Sequence, residues 1–275
     1  MTTFESNIQN IYGEKGKAWL RSLSTLIDNT ASRLGLCDLK PISNLSYNYV
    51  LSGFQGDRPI ILKVGLDICS LKKEAFALRC FAGLGAVKVM AEEDGLILLE
   101  RAVPGTSLKS YFLPKEAENI EIACRVMKQL HKAKVPQTHC FPHIKDWLAA
   151  LDKDWEVPLR YLEKARQLRD RLLQMPSQDV LLHGDLHHDN ILQNDDQWIA
   201  IDPKGVIGPP IFETWAFVMN MEKDTEFIAN FFRFDLQDVR DWYFVHLILA
   251  VCWNLEDNID STLFMGLAEK AYQLK

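Results

Sequence analysis

Residues 183–202 hold the densest group of side chains that could do chemistry: they read HGDLHHDNIL and, after a polar turn, WIAID. Asp185 and Asn190 form an H-x-D-x-x-x-x-N pattern with His183, and Asp202 follows twelve residues after the asparagine. Phosphoryl transfer from a nucleotide needs a carboxylate that orients the attacking hydroxyl and oxygen ligands that hold Mg²⁺ on the phosphates. Asp185 suits the first role, and Asn190 and Asp202 suit the second.

Two upstream residues fit the same chemistry. A kinase of this design needs a strand lysine for the nucleotide phosphates and a helical glutamate that holds the lysine. Lys63 in IILKV and Glu74 in the following helix supply both. A lone strand lysine usually faces solvent, but here the order along the chain is the order that one fold requires.

The elements that must position these residues begin with a predicted amphipathic helix over Lys17–Leu34, which Gly35 ends. After Pro41 the apolar pattern changes to a period of two residues. Two strands, at residues 47–51 and 60–64, therefore form a predicted β-hairpin. We expect an antiparallel sheet to follow the first helix.

A second predicted helix starts with Ser70 as N-cap and runs to about Gly83. A further hairpin turns at Asp94-Gly95. Strands are expected to end at Pro104-Gly105, and from about Lys115 the chain has mostly helical periodicity. The exception is the pair of short strands around the polar cluster.

This outline predicts an α+β protein with two lobes. Residues 1–101 form an antiparallel β-rich lobe with a leading helix, and residues 102–275 form a larger, mainly helical catalytic and substrate lobe. The connector lies near Glu100–Gly105.

Composition describes a globular chain of 275 residues, 48% hydrophobic and 25% charged. Its six cysteines have no regular spacing, which indicates thiols in a reducing compartment and hence a cytoplasmic protein. The N-terminus lacks the pattern of a signal peptide, and the longest apolar stretch, Tyr243–Trp253, is too short to span a bilayer. We therefore expect neither secretion nor a membrane partner.

The formal net charge is −6, which argues against a nucleic-acid partner because phosphate binding needs clustered lysine and arginine. All of this net charge lies after residue 204, where 11 acidic residues face 5 basic ones. Such an excess can attract a cationic ligand or simply form a solvated helical surface. The oligomeric state is not readable from the sequence.

The segments HGDLHHDNIL and IDPKGVIGPP resemble the aminoglycoside phosphotransferases, in particular the branch of streptomycin 6-kinases and hydroxyurea-resistance kinases. YGEKGKAWLRSL is similar to the opening helix of that branch, ILKVG to its lysine strand and LLLERAVPGTSL to its connector. The resemblance therefore covers nearly the whole chain.

This resemblance implies a two-lobed kinase-like protein that uses ATP and Mg²⁺ to phosphorylate a hydroxyl group on a small molecule, with an aminoglycoside as the expected substrate. By position, Asp185 is the catalytic base and Asn190 and Asp202 are the metal ligands. The nucleotide contacts are Lys63, its partner Glu74, and the backbone of Glu100 and Ala102, which meets the adenine.

The chain departs from the pattern of the branch at two places. The loop Ser43–Asn48, which should cover the phosphates, lacks glycine, so Ser46 is the expected donor there. Asp189 stands where the branch often has glycine, and it either binds an extra cation or faces solvent.

The histidines of the cluster allow a zinc hypothesis, because H-x-x-x-H on a helix places two imidazoles on one face. Gly184 favours a loop, where that spacing has no such geometry. We therefore expect His183 to bond the backbone of its own loop and fix Asp185, and His187 and His188 to line the site. Glu213, at the start of a predicted helix, is expected to be stabilised by the N–H groups of that helix end.

Glu256 and Asp257 are the candidate contacts for a substrate cation, because the resemblance places ligand-facing acids there; an exposed helix end is the alternative. Two other functions stay open: a housekeeping kinase of a sugar or amino alcohol, and a weakly active nucleotide-binding regulator. A protein substrate is disfavoured because only about eight residues separate Asp202 from the next predicted helix, too few for an activation loop.

Overall fold

The computed structural model describes residues 2–43, 47–111, 116–138 and 140–273, without the side chains of residues 116 and 117. The chain divides into two compact units. The first unit comprises Met1–Thr106 and Leu192–Lys204, and the second comprises Ser107–Ile191 and Gly205–Lys275. The division predicted at residue 101 differs from this grouping mainly in the hairpin of residues 192–204, which packs with the first unit although it follows the polar cluster of residues 183–190 in sequence.

The first unit contains a five-stranded antiparallel sheet of order β1-β2-β3-β5-β4. Its strands are β1 (Leu36–Pro41), β2 (Tyr49–Gln55), β3 (Arg58–Val64), β4 (Val89–Glu93) and β5 (Leu96–Glu100). Both predicted hairpins are confirmed, β2 with β3 and β4 with β5. Strand β1 is an addition, because its sequence, LCDLKP, shows no clear alternation of apolar and polar residues.

The first helix, α1 (Thr3–Leu34), is longer than predicted. Thr2 caps it in a capping box with Glu5, a signature that precedes the apolar stripe by many residues. Gly13 interrupts the helical backbone with φ of +53°. The apolar face packs through Phe4 and Ile8 on the sheet residues Leu62 and Leu98, among others.

The second helix, α2 (Ile68–Cys80), begins one turn earlier than predicted. The predicted cap Ser70 is wrong: Asp67 is the N-cap, and its carboxylate accepts a hydrogen bond from the Ser70 N–H at 2.9 Å. Leu71, Ala75 and Leu78 on the inner face of α2 pack against the sheet. This packing fixes the position of Glu74 between them.

Five further strands follow. These are β6 (Pro104–Ser107), β7 (Val180–Leu182), β8 (Ile191–Asn194), β9 (Gln197–Ala200) and β10 (Val206–Gly208). Strands β6, β8 and β9 form one sheet in that order, and β7 pairs with β10. The prediction that strands end before Pro104 is therefore wrong; proline is tolerated because β6 is an edge strand and Pro104 is its first residue.

The second unit is mainly helical. Its helices are α3 (Leu108–Tyr111), α4 (Glu116–Leu130), α5 (Ile144–Leu148), α6 (Leu159–Leu173), α7 (Met221–Phe232), α8 (Leu236–Glu256) and α9 (Thr262–Gln273), with 3-10 segments at Ala149–Asp152, His188–Asn190 and Pro210–Phe217. Helix α8 is buried on almost every side from Val239 to Cys252, as a central core helix is. Its first turns are held to α6 by Arg171, which pairs with Asp238 at 2.9 Å and Asp241 at 2.6 Å.

No helix in the part of the chain that the structure describes is long and apolar enough to cross a membrane.

All six cysteines have free thiols, of which Cys124 and Cys252 are buried.

Candidate active site

The loop between β7 and β8 carries the predicted catalytic residues of the second unit. Gly184 turns the chain with φ of +82°, a conformation that favours glycine. His183 is fully buried, and its Nδ1 accepts a hydrogen bond from the Asp185 N–H at 3.2 Å. The expected structural role of His183 is confirmed. This contact holds the backbone on which the Asp185 carboxylate is mounted.

Asn190 closes the same loop. Its Nδ2 donates to the Asp185 carbonyl oxygen at 2.8 Å. Because the amide nitrogen is used in this way, the Oδ1 atom is the part of the Asn190 side chain that suits a metal ion. The Asp185 side chain is 42% exposed, and its Oδ1 lies 3.9 Å from His187 Nε2. Asp185 can therefore reach a ligand while its backbone stays fixed.

Glu213 supports this loop from the 3-10 segment Pro210–Phe217. One carboxylate oxygen accepts the Gly184 N–H at 2.7 Å, and the other lies 2.9 Å from His131 Nε2. Burial favours the neutral acid, but His131, His183 and the Gly184 N–H outweigh it and hold the pKa of Glu213 below its usual value. Glu213 is structural, as predicted, but its partners are Gly184 in the loop and His131 directly after α4, and the predicted stabilisation by the N–H groups of its own segment is wrong.

In the first unit, Lys63, Glu74 and Asp202 form one charged cluster, the phosphate-side triad. Lys63 Nζ, on β3, lies 2.7 Å from Glu74 Oε2 and 3.2 Å from Asp202 Oδ1. The Lys63 and Glu74 side chains are 8% and 9% exposed, whereas Asp202 is 45% exposed. The lysine is therefore fixed by one buried and one accessible carboxylate.

This arrangement shifts the pKa values of Lys63 and Glu74. Burial alone would lower the pKa of Lys63, but the carboxylates of Asp202 and Glu74 outweigh it and raise the pKa. Burial raises the pKa of Glu74, against the opposing effect of Lys63. Glu74 Oε1 is buried and accepts no hydrogen bond from the described residues. Asp202 has φ of +59°, a left-handed conformation that is uncommon outside glycine and is often found at functional sites.

The segment predicted to contact adenine follows β5. The Glu100 N–H donates to the Lys88 carbonyl oxygen at 2.9 Å, the Arg101 N–H to that of Pro59 at 3.2 Å and the Val103 N–H to Asn194 Oδ1 at 3.0 Å. These bonds fix the backbone on both sides of Ala102, which is itself buried. The contacts of Glu100 and Ala102 with adenine stay predictions. Ser46 lies outside the residues that the structure describes.

A cavity of about 330 Å³ opens beside Asp185 in the second unit. We call it the aromatic pocket; its lining residues are Trp147, Gly184, Asp185, Leu186, His187, Phe212, Glu213, Trp215, Ala216, His246, Trp253 and Phe264. Three tryptophans, two phenylalanines and a buried histidine thus surround the space next to the predicted base. The sequence does not reveal this group, because the three tryptophans are far apart in the chain and only the packing of α5, the 3-10 segment and α8 brings them together.

The other predicted acceptor-side residues lie elsewhere in the second unit. His188 packs on the ring of Phe217 with centroids 5.0 Å apart, and burial lowers its pKa. Glu256, at the end of α8, pairs with Lys153 at 2.6 Å, and Asp257 is the exposed C-cap of that helix. Asp189, half exposed, pairs with Lys109 at 2.8 Å.

Among the described residues, no three histidine, cysteine, aspartate or glutamate side chains come close enough to hold one metal ion. His187 and His183 instead use their Nδ1 atoms to accept backbone N–H groups of the loop.

Solved structures identify the class of fold. Aminoglycoside phosphotransferase APH(4)-Ia superposes with a TM-score of 0.67 at 16% identity, over 90% of this chain and 98% of that one. A choline/ethanolamine kinase family protein from Mesorhizobium loti superposes with a TM-score of 0.65 at 16% identity, over 90% and 93%. The predicted α+β, two-lobed protein-kinase-like fold is confirmed.

Sequence comparison identifies the family. The model of the aminoglycoside/hydroxyurea antibiotic resistance kinases matches residues 46–241. Streptomycin 6-kinase from Streptomyces griseus is 23% identical over 90% of this chain and 88% of that enzyme. Streptomycin 3''-kinase from Klebsiella pneumoniae is 30% identical, but over only 60% of this chain and 62% of that enzyme. The chain belongs to the aminoglycoside/hydroxyurea antibiotic resistance kinase family, whose members are hydroxyl-acceptor phosphotransferases, as the resemblance of its motifs predicts.

Proposed function

We propose that this chain transfers the γ-phosphate of ATP to a hydroxyl group of an aminoglycoside related to streptomycin. The observation that carries the proposal is the phosphate-side triad, in which Lys63 is held between Glu74 at 2.7 Å and Asp202 at 3.2 Å. A lysine fixed by a helical glutamate is the arrangement that kinases use to hold nucleotide phosphates. The streptomycin kinases among the relatives supply the acceptor class.

On the nucleotide side, Lys63 donates to phosphate oxygens. Its charge is available because the triad keeps it protonated, and its position is fixed because Glu74 is buried in the packing of α2. Asp202 is accessible to a ligand, unlike Glu74.

The carboxylate of Asp202 in the first unit and the amide oxygen of Asn190 in the second unit are each of the hard oxygen type that Mg²⁺ prefers. An ion held by Asp202 would neutralise charge on the phosphates. Replacing Asp202 with Ala should abolish the additional thermal stabilisation that Mg²⁺ gives to the protein with ATP, whereas Asp189→Asn, in the neighbouring salt bridge with Lys109, should preserve it. An unchanged melting shift in Asp202→Ala would remove Asp202 from the site.

On the acceptor side, Asp185 takes the proton of the substrate hydroxyl as the oxygen attacks the γ-phosphorus and ADP leaves. The loop presents the carboxylate in a fixed position, since His183, Asn190 and Glu213 each bond the backbone of residues 184–185. Such positioning reduces the reorganisation needed at the moment of transfer.

A second candidate is a kinase of a small sugar or amino alcohol. The aromatic pocket favours it, because about 330 Å³ is near the lower end of the range for small-molecule sites, roughly 300–1,000 Å³. A larger acceptor would place one ring in the pocket and the remainder outside it.

An acceptor panel separates these candidates. Purified protein, ATP and Mg²⁺ are incubated with streptomycin, other aminoglycosides, sugars and amino alcohols, and ADP release is measured for each, with Asp185→Asn as the blank. We expect the highest kcat/KM for streptomycin or a close relative. Faster turnover of a simple sugar or amino alcohol would support the second candidate, and nucleotide binding without turnover of any acceptor would indicate a regulator.

A further inference from the structure

The aromatic pocket is built from rings on four separate elements. Trp147 lies on α5, Trp215 on the 3-10 segment, Trp253 on α8 and Phe264 on α9. Trp147 and Trp253 meet edge to face with ring centroids 5.9 Å apart. The ring centroids of Trp215 and Phe264 lie 6.2 Å apart. Each of these rings is only partly buried. Large rings that stay accessible around one cavity are suited to contact a ligand.

His246 supplies one polar group inside this wall. It is 3% exposed and stacks on Trp215, with ring centroids 5.2 Å apart and an interplanar angle of 11°. Its Nδ1 lies 3.0 Å from the Trp242 carbonyl oxygen. A carbonyl only accepts, so Nδ1 carries the hydrogen and Nε2 is the acceptor. Burial lowers the pKa of His246 to about 3, which keeps this acceptor unprotonated at neutral pH.

The charges around the cavity favour a positively charged ligand. Among the described residues that line it, the ionisable acids are Asp185 and Glu213, and neither lysine nor arginine is present. The faces of aromatic rings carry negative partial charge and attract cations. Guanidinium groups in particular stack on such faces and donate N–H groups in their plane.

We propose that the aromatic pocket is the acceptor subsite and that it holds a guanidinium or ammonium group of the acceptor against Trp215 and Trp253, with His246 Nε2 accepting an N–H of that group. Resting on the proposed function, this assigns the specificity for a cation to rings rather than to acidic side chains.

The placement of Glu256 and Asp257 is consistent with this division of roles. Both follow Trp253 by one helical turn, so they share its side of α8 but lie farther along the axis. Glu256 is already paired with Lys153. These two acids at the end of α8, the rim acids, therefore attract a cation only weakly, and the rings retain it.

A pair of probes with the same shape and different charge tests the pocket directly. Binding of 2-hydroxyethylguanidine, a cation, and of 2-hydroxyethylurea, its neutral counterpart, is measured by tryptophan fluorescence with the full chain and no nucleotide. We expect the guanidine to bind at least tenfold more tightly, as a desolvated cation–π contact implies. Equal affinity for the urea would overturn the assignment to a cation.

Variants locate the contact. Trp253→Leu should weaken guanidine binding about tenfold or more, Trp253→Phe should retain most of it, and Trp155→Phe, an indole outside the pocket, should change nothing. His246→Phe should weaken guanidine binding separately from any loss of ring contact. Wild-type affinity in both Trp253→Leu and His246→Phe would overturn the proposal.

The outcome also separates this proposal from the proposed function. If Trp253→Leu phosphorylates streptomycin with a wild-type KM, the pocket is not the acceptor subsite, and the proposed kinase function still holds. Suppose instead that guanidine binding depends on Trp253 but no acceptor is phosphorylated with ATP. The pocket would then still be a cation site, and the proposed kinase function would be wrong.

Discussion

The phosphate-side triad of the first unit and the aromatic pocket of the second unit are built from different interactions. In the triad, Lys63 Nζ lies 2.7 Å and 3.2 Å from the two carboxylates, and two of the three side chains are less than 10% exposed. In the pocket, aromatic rings and the buried, neutral His246 surround a space of about 330 Å³. The triad is fixed before a ligand arrives, whereas the pocket is defined mainly by shape and ring faces.

This difference matches the demands of the two ligands that we propose for these regions. Nucleotide phosphates present the same charges in every kinase, so a fixed cation in a fixed place suits them. Acceptors differ in size and polarity, and a ring-walled cavity changes its preference through single side chains. We therefore expect variants in the triad to affect all acceptors equally and variants in the pocket to distinguish between them.

The largest effect should come from Asp185→Asn. A positioned base contributes typically ~10²–10⁴-fold to the rate, and the amide cannot take the hydroxyl proton. We expect kcat to fall by that factor for every acceptor, with nucleotide binding retained in a calorimetric titration. Asp189→Asn, in the same loop, is the matched control. A variant that transfers phosphate at the wild-type rate would show that Asp185 is not the base.

The next effect concerns the buried charges of the triad. Lys63→Met leaves Glu74 without its cation in a buried position, which typically costs ~3–5 kcal/mol of unfolding free energy. The double variant Lys63→Met/Glu74→Leu removes both charges and should recover most of that stability, but not nucleotide binding. Urea unfolding and an ATP titration measure the two properties. Recovery of ATP binding in the double variant would contradict the role assigned to Lys63.

The support of the catalytic loop by Glu213 should depend on pH. Its pKa is lower in the folded chain than in the unfolded one, so its stabilisation is complete above about 4.5 and is lost as the pH falls through the folded value. Glu213→Gln replaces a charged hydrogen bond to Gly184 with a neutral one, at a cost of ~1–2 kcal/mol at pH 7. The difference in unfolding free energy between wild type and variant should shrink in acid. If the difference in unfolding free energy between wild type and Glu213→Gln did not change with pH, the charge of the Glu213 carboxylate would not contribute to the stability of the loop.

The smallest effect should come from the rim acids. Glu256→Gln with Asp257→Asn removes two exposed charges, and exposed pairs contribute ~0–1 kcal/mol each. We expect a rise in KM of a few-fold for a cationic acceptor, little change in kcat, and the same rise for the wild type in high salt, because salt screens exposed charges beyond roughly 10 Å at 0.1 M. If the KM of a cationic acceptor changes neither with salt nor with the double substitution, the rim acids do not take part in substrate binding.

The two regions also differ in how far the sequence predicts them. Lys63, Glu74 and Asp202 are predictable because each sits in a short motif whose order along the chain is diagnostic, and the structure places Lys63 within hydrogen-bonding distance of both carboxylates. Trp215 and Trp253 carry no such motif and look like ordinary core residues. Only tertiary packing shows that their rings share a cavity with Asp185.

The excess of acidic residues after residue 204 is a second feature whose role the sequence does not predict. Asp238 and Asp241 pair with Arg171, Asp235 caps α8, and Glu213 holds the catalytic loop. Much of the charge that could have indicated a cationic ligand is therefore used within the fold. Charge counts along a sequence do not distinguish these uses, because they depend on which partners the fold brings close.

The most direct test of the account is to identify the product. The purified chain is incubated with ATP, Mg²⁺ and streptomycin, and the mixture is followed by ³¹P NMR and mass spectrometry. We predict one phosphomonoester on the antibiotic for each ADP formed, and no product with Asp185→Asn. Release of inorganic phosphate without a phosphorylated antibiotic, or product formation that survives in Asp185→Asn, would contradict the central claim.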